Sequence, residues 1–451
     1  MKIILPFTIL VLILSGCPRK NSSDDAKVIT YNCSANAIEI ASLNKEISNF
    51  TAQSGWEIKL FPFSGDDKLY AMIAANQAPD IFYTNNVMRD RLAAEGHLLD
   101  LNAISNGDPF LQRLTPEVTT RGKSIDGGWY NITNWIFTCG VYFNKQLFDE
   151  AGIRYPDTAW TWNDLVAAAR KLTRDRNNDG KTDQYGIFIG SHFIEAFEQM
   201  NGARFERDAL FASIPRESQE VYDKYLGLMR EGIMPDLRSM QAMGMQAPQM
   251  LASGRVAMLV EAVPNTTLIE TLNIRWGIAP LPRFDGKTPQ YFRSASGGLS
   301  VSAKTKNPKA AWQALKWILA DASVYQPNPI MNDVPFVTAW EKKYPQLVGS
   351  GFREVWNLSE RFNGGDARYF VRYSSWTMNP ILEQLQPKLD QLWARTISVA
   401  DVLAALPKIN ERVRKEIQDA LHNENIGKKF RASMERRLHE YDSRNTSTQT
   451  P

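Results

Sequence analysis

Residues 28–31 (VITY) and 57–61 (EIKLF) are short β-rich runs, and the segment between them has helical spacing. In that segment the apolar side chains recur every three or four residues, at Ile40, Leu43, Ile47 and Phe50. Gly55 then ends the predicted helix. A second helical pattern and a third run, PDIFY at 79–83, repeat the alternation. The order strand, helix, strand, helix, strand predicts an α/β fold with a largely parallel sheet.

The carboxyl ends of these strands predict where a ligand binds, because open α/β sheets bind ligands beyond that edge. In this chain the ends fall at residues 32–35, 64–67 and 83–86. The candidate contacts there are Asp66, Asp67, Tyr83 and Asn85. Asp66 or Asp67 has an alternative role as the cap of the following helix.

The composition is that of a large, nearly neutral globular protein. The 451 residues carry 52 Lys+Arg against 49 Asp+Glu, a formal net charge of +3. Because no basic stripe stands out, we do not expect a nucleic-acid partner, and the length predicts two or three domains. Aromatic residues are numerous, with 12 Trp, 15 Tyr and 21 Phe. Such rings either fill cores or bind flat ligand faces.

The N-terminus has the pattern of an export signal. A charged start, an apolar run over 3–14 and small residues before Cys17 predict a signal peptide over 1–16. The run is shorter than the ~20 residues that span a bilayer. Leu14-Ser15-Gly16-Cys17 resembles a bacterial lipobox, which implies cleavage before Cys17 and a lipid on its sulfur. A chance Cys behind an ordinary export signal is the alternative.

The lipobox pattern predicts a periplasmic or cell-surface lipoprotein, with residues 17–27 as a polar tether and Cys17 as the membrane anchor. The polar composition of residues 443–451 predicts a flexible C-terminal tail. In an oxidising compartment, Cys33 and Cys139 either form a disulfide or remain as two buried thiols.

Two helix starts are marked by their spacing. Thr161 with Asp164 resembles a capping box, and Ser398 with Asp401 opens the last long helix. Trp160 and the Trp that follows Thr161 flank the first of these starts, so we expect both rings to be structural.

Seven phrases occur in the order found in one protein family: APDI, EGHLLDL, VYFNKQLF, WTWNDL, SGRVAM, WGIAPLP and GGLSV. They lie at 78–81, 95–101, 141–148, 160–165, 253–258, 276–282 and 297–301. Together they resemble the extracellular solute-binding proteins of ABC importers, in the sugar-binding group related to maltose-binding protein. The resemblance covers about residues 28–325.

That resemblance implies the two-lobe, type II periplasmic-binding-protein fold, with a ligand cleft between the lobes and closure by a hinge. Lobe 1 is then mainly residues 28–140, and lobe 2 is mainly 141–325 with return segments to lobe 1. The helical part over 326–442 contributes to both lobes. The implied protein is a monomer without enzymatic activity, which captures a sugar or oligosaccharide and delivers it to ABC permease subunits.

Rings and hydrogen-bonding side chains are the residue types that hold sugars, which offer apolar C–H faces and hydroxyls. The family pattern places further candidates near the cleft: Trp129, Asn134, Trp135, Arg293 and Trp376. Cover for the lobe core is the alternative for one of the rings before residue 142.

Glu261 marks a departure from the family. Many relatives have Gly-x-Trp after the strand that ends the SGRVAM phrase, whereas this chain has Val260-Glu261-Ala262-Val263. The usual stacking Trp is missing and an acid is present, so the ligand is expected to differ from a plain maltodextrin. A solvated loop position is the alternative for Glu261.

A calcium loop is the one metal motif in the chain. Asp175, Asn177, Asp179 and Asp183 fit positions 1, 3, 5 and 9 of an EF-hand loop, but Gly186 stands where a bidentate Glu is needed. A flexible Asp/Asn/Gly turn explains the same residues and is the preferred reading. No cofactor is therefore expected.

Catalytic patterns are weak. Only four His occur, none at metal-ligand spacing from another, and no nucleophile elbow, phosphate loop or dinucleotide motif is present. Two alternatives to a sugar receptor stay open. One is a receptor for a non-sugar solute such as a glycerophosphodiester, which Arg293 would serve. The other is a secreted glycoside hydrolase, because carboxylates abound.

Overall fold

The chain forms two α/β lobes, each built on its own sheet. The computed structural model describes residues 27–33, 37–63, 65–115, 118–119, 122–203, 209–286, 292–295, 297–320, 329–332, 335–362 and 375–447. The described strands are β1 (Val28–Tyr31), β2 (Glu57–Leu60), β3 (Ile81–Thr84), β4 (Ile132–Thr133), β5 (Ile136–Asn144), β6 (Tyr185–Ile189), β7 (Val256–Val263), β8 (Trp276–Pro280), β9 (Arg293–Ala295) and β10 (Gly298–Val301).

The sheet of lobe 1 has the strand order β2-β1-β3-β10-β4. β1 is parallel to both β2 and β3, as the sequence pattern predicts. β10 is antiparallel to β3 and to β4, because it enters lobe 1 from the other lobe. Only the three strands from the N-terminal part of the chain, β1, β2 and β3, are therefore parallel to one another.

The sheet of lobe 2 has the order β6-β7-β5-β8, and β9 pairs with β5. β5 is antiparallel to β7, β8 and β9, whereas β6 and β7 are parallel.

Helices cover both faces of both sheets. They are α1 (Ala37–Ser54), α2 (Asp66–Ala74), α3 (Asn86–Ala94), α4 (Asn102–Ser105), α5 (Phe110–Arg113), α6 (Lys145–Glu150), α7 (Trp162–Leu172), α8 (Ile194–Met200), α9 (Arg216–Arg230), α10 (Leu237–Met243), α11 (Ala247–Ala252), α12 (Thr266–Thr271), α13 (Pro308–Ala320), α14 (Phe336–Lys343), α15 (Phe352–Phe362), α16 (Ser375–Trp393), α17 (Val399–Leu421) and α18 (Lys428–Ser447). Two 3-10 turns occur at Ser191–Phe193 and Pro345–Leu347.

Lobe 1 has a core on each side of its sheet. Ile81 packs with α1 and α13 on one face, and the next residue, Phe82, packs with α2 and α3 on the other. This alternation follows from the two-residue period of a strand. Both residues are fully buried.

Lobe 2 is layered in the same way. Val141 belongs to the core that includes α7, α8, α9, α16 and α17. Tyr142 belongs to the core on the opposite face, with α11, α12, α14 and α15. The second core is rich in rings: Trp276, Phe336, Trp340, Tyr344, Phe352 and Trp356. Much of the aromatic excess is therefore core material in this lobe.

The C-terminal helices contact both lobes. α16 packs against α3 of lobe 1 and against α17. α18 places Phe430 in the α2–α3 core of lobe 1, whereas Met434 lies in the α7–α9 core of lobe 2. This segment therefore links the two lobes through their helical cores.

Two neighbouring crossings connect the sheets themselves. Asn134 and Trp135 join β4 to β5, and the crossing that contains Gly297 lies between β9 and β10. Because β4 pairs with β10 and β5 pairs with β9, the two crossings run side by side.

Gly297 is required at the second crossing. Its φ is +134°, and a Cβ there would lie 2.4 Å from the carbonyl oxygen of Thr84 and 2.6 Å from the hydroxyl of Tyr83. Only glycine fits this close approach to the end of β3.

Several local predictions are confirmed. α1 ends before Gly55, whose φ is +71°. The capping boxes at Thr161 and at Ser398 are both formed. Of the two alternatives left open for Cys33 and Cys139, the structure shows two buried thiols without a disulfide. Among the residues that the structure describes, no helix combines the length and the apolar character needed to cross a membrane.

Candidate ligand-binding cleft

The strand registers show which edge of each sheet faces the other lobe. β10 starts directly after a crossing, and its first residue, Gly298, pairs with Thr84 at the end of β3. Since β1 and β2 are parallel to β3, the carboxyl ends of all three strands face lobe 2. These are the strand ends that the sequence pattern selects as the ligand edge.

In lobe 2 the facing edge is reached in the same way. β5 starts at Ile136, directly after a crossing, and Thr138 pairs with Val263 at the end of β7. β6 is parallel to β7, so its carboxyl end at Ile189 lies at this edge too. The residues at and just beyond these ends form the second wall of the cleft, and they include Glu261 and His192.

The lobe 1 wall is held in place by a buried amide. Asn32 donates from Nδ2 to the carbonyl oxygens of Phe61 and Phe63, at 3.0 Å each, and is 6% exposed. It thereby ties the end of β1 to the loop after β2. Phe61 and Phe63 are both half-buried, so each presents part of its ring at this edge.

Asn85 and Asp66 also meet at this edge. Asn85 caps α3 by accepting from the amide of Met88 at 2.9 Å, and it donates from Nδ2 to Asp66 at 3.1 Å. Asp66 and Asp67 are exposed in the first turn of α2, whose cap is Gly65 without a side-chain bond. The alternative capping role is therefore wrong for both aspartates, although the helix dipole stabilises them there.

Glu261 is the partly buried acid of the lobe 2 wall. Its Oε1 accepts from the amide of Ala262 at 2.8 Å. Burial raises the pKa of the Glu261 carboxyl, against the opposing effects of that bond, of nearby His192 and of the Asn265 side chain. A solvated loop position is thus wrong for Glu261, which lies within β7.

Cys139 lies beside this acid on the neighbouring strand. Burial, followed by the charges of Glu261 and Glu195, raises the pKa of its thiol well above the usual range. Glu195 is half-buried in α8, just beyond the end of β6. The wall is therefore acidic, and the thiol within it stays protonated.

The first crossing places two predicted residues between the walls. The side-chain Oδ1 of Asn134 is buried and has no hydrogen-bond partner among the described residues. Trp135 is half-buried, and its ring centroid lies 5.9 Å from that of Trp340 and 6.5 Å from that of Phe336. Trp135 therefore lies at the edge of the aromatic core of lobe 2, and part of its ring is exposed.

Two predicted contacts lie elsewhere. Trp129 is 3% exposed and packs edge-on against Trp312 in the core of lobe 1, at 6.4 Å between centroids. It is the ring that covers the lobe core. Arg293 is 4% exposed, with its guanidinium over the ring of Trp356 at 4.9 Å. Neither side chain is available at the cleft surface in this structure.

The remaining aromatic predictions divide as follows. Trp160 and Trp162 are buried in lobe 2, and Trp162 stacks on Phe284 at 5.4 Å, so both rings are structural. Trp376 lies in α16, but its side chain is outside the described residues, as is Cys17.

The loop at 175–183 is a turn closed on itself. Asp175 accepts from the amides of Asp179 and Gly180, and Asn177 also accepts from the amide of Asp179. Asp183 accepts from the amide of Arg176 at 2.9 Å. Within the described ranges, no three His, Cys, Asp or Glu side chains converge as metal ligands. The side-chain oxygens that would bind calcium instead accept hydrogen bonds from backbone N–H groups.

Four residues that follow the facing strand ends were not predicted from the sequence: Phe61, Phe63, His192 and Glu195. The two rings follow β2 directly and precede the predicted ligand edge at 64–67, so their position next to the strand end was a usable signal. His192 and Glu195 follow a strand whose place in the sheet depends on its pairing with β7, which one sequence does not reveal.

The comparisons with known proteins agree with this architecture. The family model of bacterial extracellular solute-binding proteins matches residues 35–325, well over half of the chain. The maltodextrin-binding protein MdxE of Bacillus subtilis is 26% identical over 75% of this chain and 81% of its own length.

Solved structures share the fold. One is an ABC substrate-binding protein of Listeria monocytogenes in complex with cycloalternan, with a TM-score of 0.70 and 20% identity over 87% of this chain and 99% of that one. Another is the cyclic α-maltosyl-1,6-maltose binding protein of Arthrobacter globiformis, with a TM-score of 0.67 and 18% identity over 86% of this chain and 99% of that one.

The matched family consists of solute-binding proteins rather than enzymes, and the hydrolase alternative is therefore wrong. The family is extracellular, so the chain is an exported protein. Its two lobes and the match over residues 35–325 show that the chain belongs to the bacterial extracellular solute-binding protein family.

Proposed function

We propose that the protein captures a sugar or oligosaccharide in the cleft between its lobes and delivers it to an ABC permease. The observation that carries this proposal is the pairing of partly exposed rings with polar side chains at the facing sheet edges. Phe61, Phe63 and Trp135 offer apolar faces, while Asn134 and Glu261 offer acceptors. The relatives named above bind maltodextrins and cyclic oligosaccharides, which supports the same ligand class.

The proposed binding set follows from this pairing. In lobe 1 it consists of Phe61, Phe63, Asp66, Tyr83 and Asn85, with Asp67 on the exposed rim. In lobe 2 and at the crossing it consists of Asn134, Trp135, His192 and Glu261, and Trp376 stays a prediction. Sugar C–H faces pack on rings, and sugar hydroxyls donate to carboxylate and amide oxygens.

Asn134 has a specific part in this set. A buried oxygen without a partner costs about 1–3 kcal/mol, so a ligand hydroxyl that reaches it removes that penalty. Its position at a crossing also means that the bond would form where the two lobes meet.

A phosphodiester is the less favoured solute. The cation that suggested it, Arg293, is 4% exposed and lies over Trp356, and the lobe 2 wall contains Glu195 and Glu261 instead. An acidic wall disfavours an anionic ligand through like-charge repulsion.

Calorimetry with purified protein tests the proposal. Maltotriose and cyclic gluco-oligosaccharides form one arm, and glycerophosphocholine forms the other. We expect heat from at least one sugar, and Trp135→Ala should weaken that binding about tenfold or more, since a stacked ring contributes on the order of 1–3 kcal/mol. Lys171→Ala, on the exposed surface of α7, is the matched control and should bind as the wild type. Binding of the phosphodiester alone would refute a sugar receptor.

The lipid anchor is part of the same proposal. Cys17 would carry the lipid, the segment 17–27 would tether the lobes, and the permease subunits would meet the protein at the membrane. Metabolic labelling with an alkyne fatty acid should mark the wild type and leave Cys17→Ser unlabelled and released from membranes. Equal labelling of both proteins would contradict the anchor without touching the sugar proposal.

A further inference from the structure

Lobe 2 contains a cavity, separate from the cleft, at the edge of its sheet that faces away from lobe 1. Tyr185, the first residue of β6, and Arg255, directly before β7, both line it. Because these strands are parallel and their carboxyl ends face lobe 1, the cavity lies at their opposite ends. Its volume is about 490 Å³, within the range of small-molecule sites.

The lining divides into an apolar wall and a cationic rim. The wall consists of Tyr185, Ala242, Met243 and Met245, and the rim consists of Lys181, Thr182, Ser239 and Arg255. None of these described lining residues is acidic. An occupant that satisfies both parts has an apolar body and a negative charge.

The two methionines are brought together by the end of α10. The helix stops at Met243, and Gly244 has φ 59°, in the left-handed region, so the chain turns back and Met245 lines the same cavity. The sulfur of Met245 accepts from the hydroxyl of Ser253 at 3.8 Å. Flexible thioether side chains adapt to ligands of differing shape, which suits an apolar wall.

The two cations of the rim, Arg255 and Lys181, differ in their contacts. The Nη1 of Arg255 donates to the carbonyl oxygen of Asp183 at 3.0 Å and lies 3.5 Å from its carboxylate. This pairing fixes the guanidinium beside the cavity. Lys181 is exposed and lines the same cavity. Asp183 offsets the charge of Arg255, so the rim keeps the positive charge of Lys181.

We propose that this cavity is a second binding site, for a small amphiphilic carboxylate. The carboxylate pairs with Lys181 and Arg255, and the apolar body packs against Met243, Met245 and Tyr185. The site is independent of the sugar cleft, since it lies at the other end of β6 and β7.

Titration followed by NMR, with octanoate as the probe, tests this site. Octanamide has the same body without the charge, and acetate has the charge without the body. We expect octanoate to bind at least about fivefold more tightly than either, since an exposed ion pair and a short apolar chain each add a modest increment. Lys181→Gln should weaken octanoate about fivefold.

Variants of the wall complete the test. Met243→Gln should weaken octanoate, whereas Met243→Leu, which conserves volume, should retain it. Lys171→Gln, outside the cavity, controls for net charge. Equal binding of octanoate and octanamide, or no effect of Lys181→Gln beyond that of Lys171→Gln, would overturn the proposal. Displacement of octanoate by a sugar bound in the cleft would also overturn it, because the two sites are separate.

Discussion

Replacement of Gly297 by alanine is expected to destabilise the protein at the junction of the lobes. The residue has φ +134°, and the new Cβ would lie 2.4 Å from the Thr84 carbonyl oxygen and 2.9 Å from the Cα of Asn85. A non-glycine residue in this region of φ costs about 1–3 kcal/mol. Overpacking against backbone adds a further ~1–3 kcal/mol. The free energy of unfolding should therefore fall by about 2–6 kcal/mol, a large part of the stability of a typical protein.

Two other glycines separate the causes. Gly286 has φ +71° with nothing within 4 Å of its Cβ position, so Gly286→Ala tests backbone strain alone and should cost about 1–2 kcal/mol. Gly227 lies within α9 in open space, and Gly227→Ala should stabilise by about 1 kcal/mol. Urea unfolding followed by tryptophan fluorescence measures all three.

The three results have a required order. Gly297→Ala must unfold at the lowest urea concentration and Gly227→Ala at the highest. If Gly297→Ala is no less stable than Gly286→Ala, the close approach to the end of β3 is not a constraint in solution, and the reasoning about this crossing fails.

Three further predictions concern rings, acids and metal. Trp129→Ala should lower the free energy of unfolding by about 3–5 kcal/mol. The folded fraction should still bind sugar, in contrast to Trp135→Ala. Loss of sugar binding with unchanged stability would contradict the core position of Trp129. Burial raises the pKa of Glu261 above its ordinary value of 4.5, so the folded state holds this proton more tightly and the residue's contribution to stability falls as pH rises above 4.5. Glu261→Gln should remove that slope from thermal melts, and parallel profiles of the two proteins would refute it. Millimolar Ca²⁺ should leave the melting temperature unchanged, because Asp175 accepts from backbone amides; a clear rise that Asp175→Asn abolishes would show a metal site instead.

The fold was predictable where local pattern and pairing agree. The order of β1, α1, β2, α2 and β3 follows from hydrophobic spacing, and the caps at Thr161 and Ser398 follow from two residues each. The insertion of β10 beside β3 was not predictable from spacing, because strand partners far apart in sequence leave no local trace.

The candidate site divides along the same line. Tyr83 and Asn85 follow directly from the end of β3, whereas Glu261 was predicted from its departure from the family pattern. Trp129 and Arg293 have ligand-binding residue types, yet their neighbours, Trp312 and Trp356, come from distant segments and bury them. Residue type alone therefore does not show whether a ring or a cation is open to solvent, because its burial depends on packing partners far along the chain.

The position of β10 has a consequence for how the chain folds. It completes the sheet of lobe 1 between β3 and β4, although most of lobe 2 separates it from them along the chain. Until residue 301 has been synthesised, the edge of β3 presents unpaired N–H and C=O groups, which pair readily with other chains. Such long-range pairing also slows folding. Lobe 1 therefore does not fold independently before lobe 2, because its sheet is complete only after β10 has been synthesised. An N-terminal fragment that lacks β10 is expected to aggregate rather than form a folded lobe.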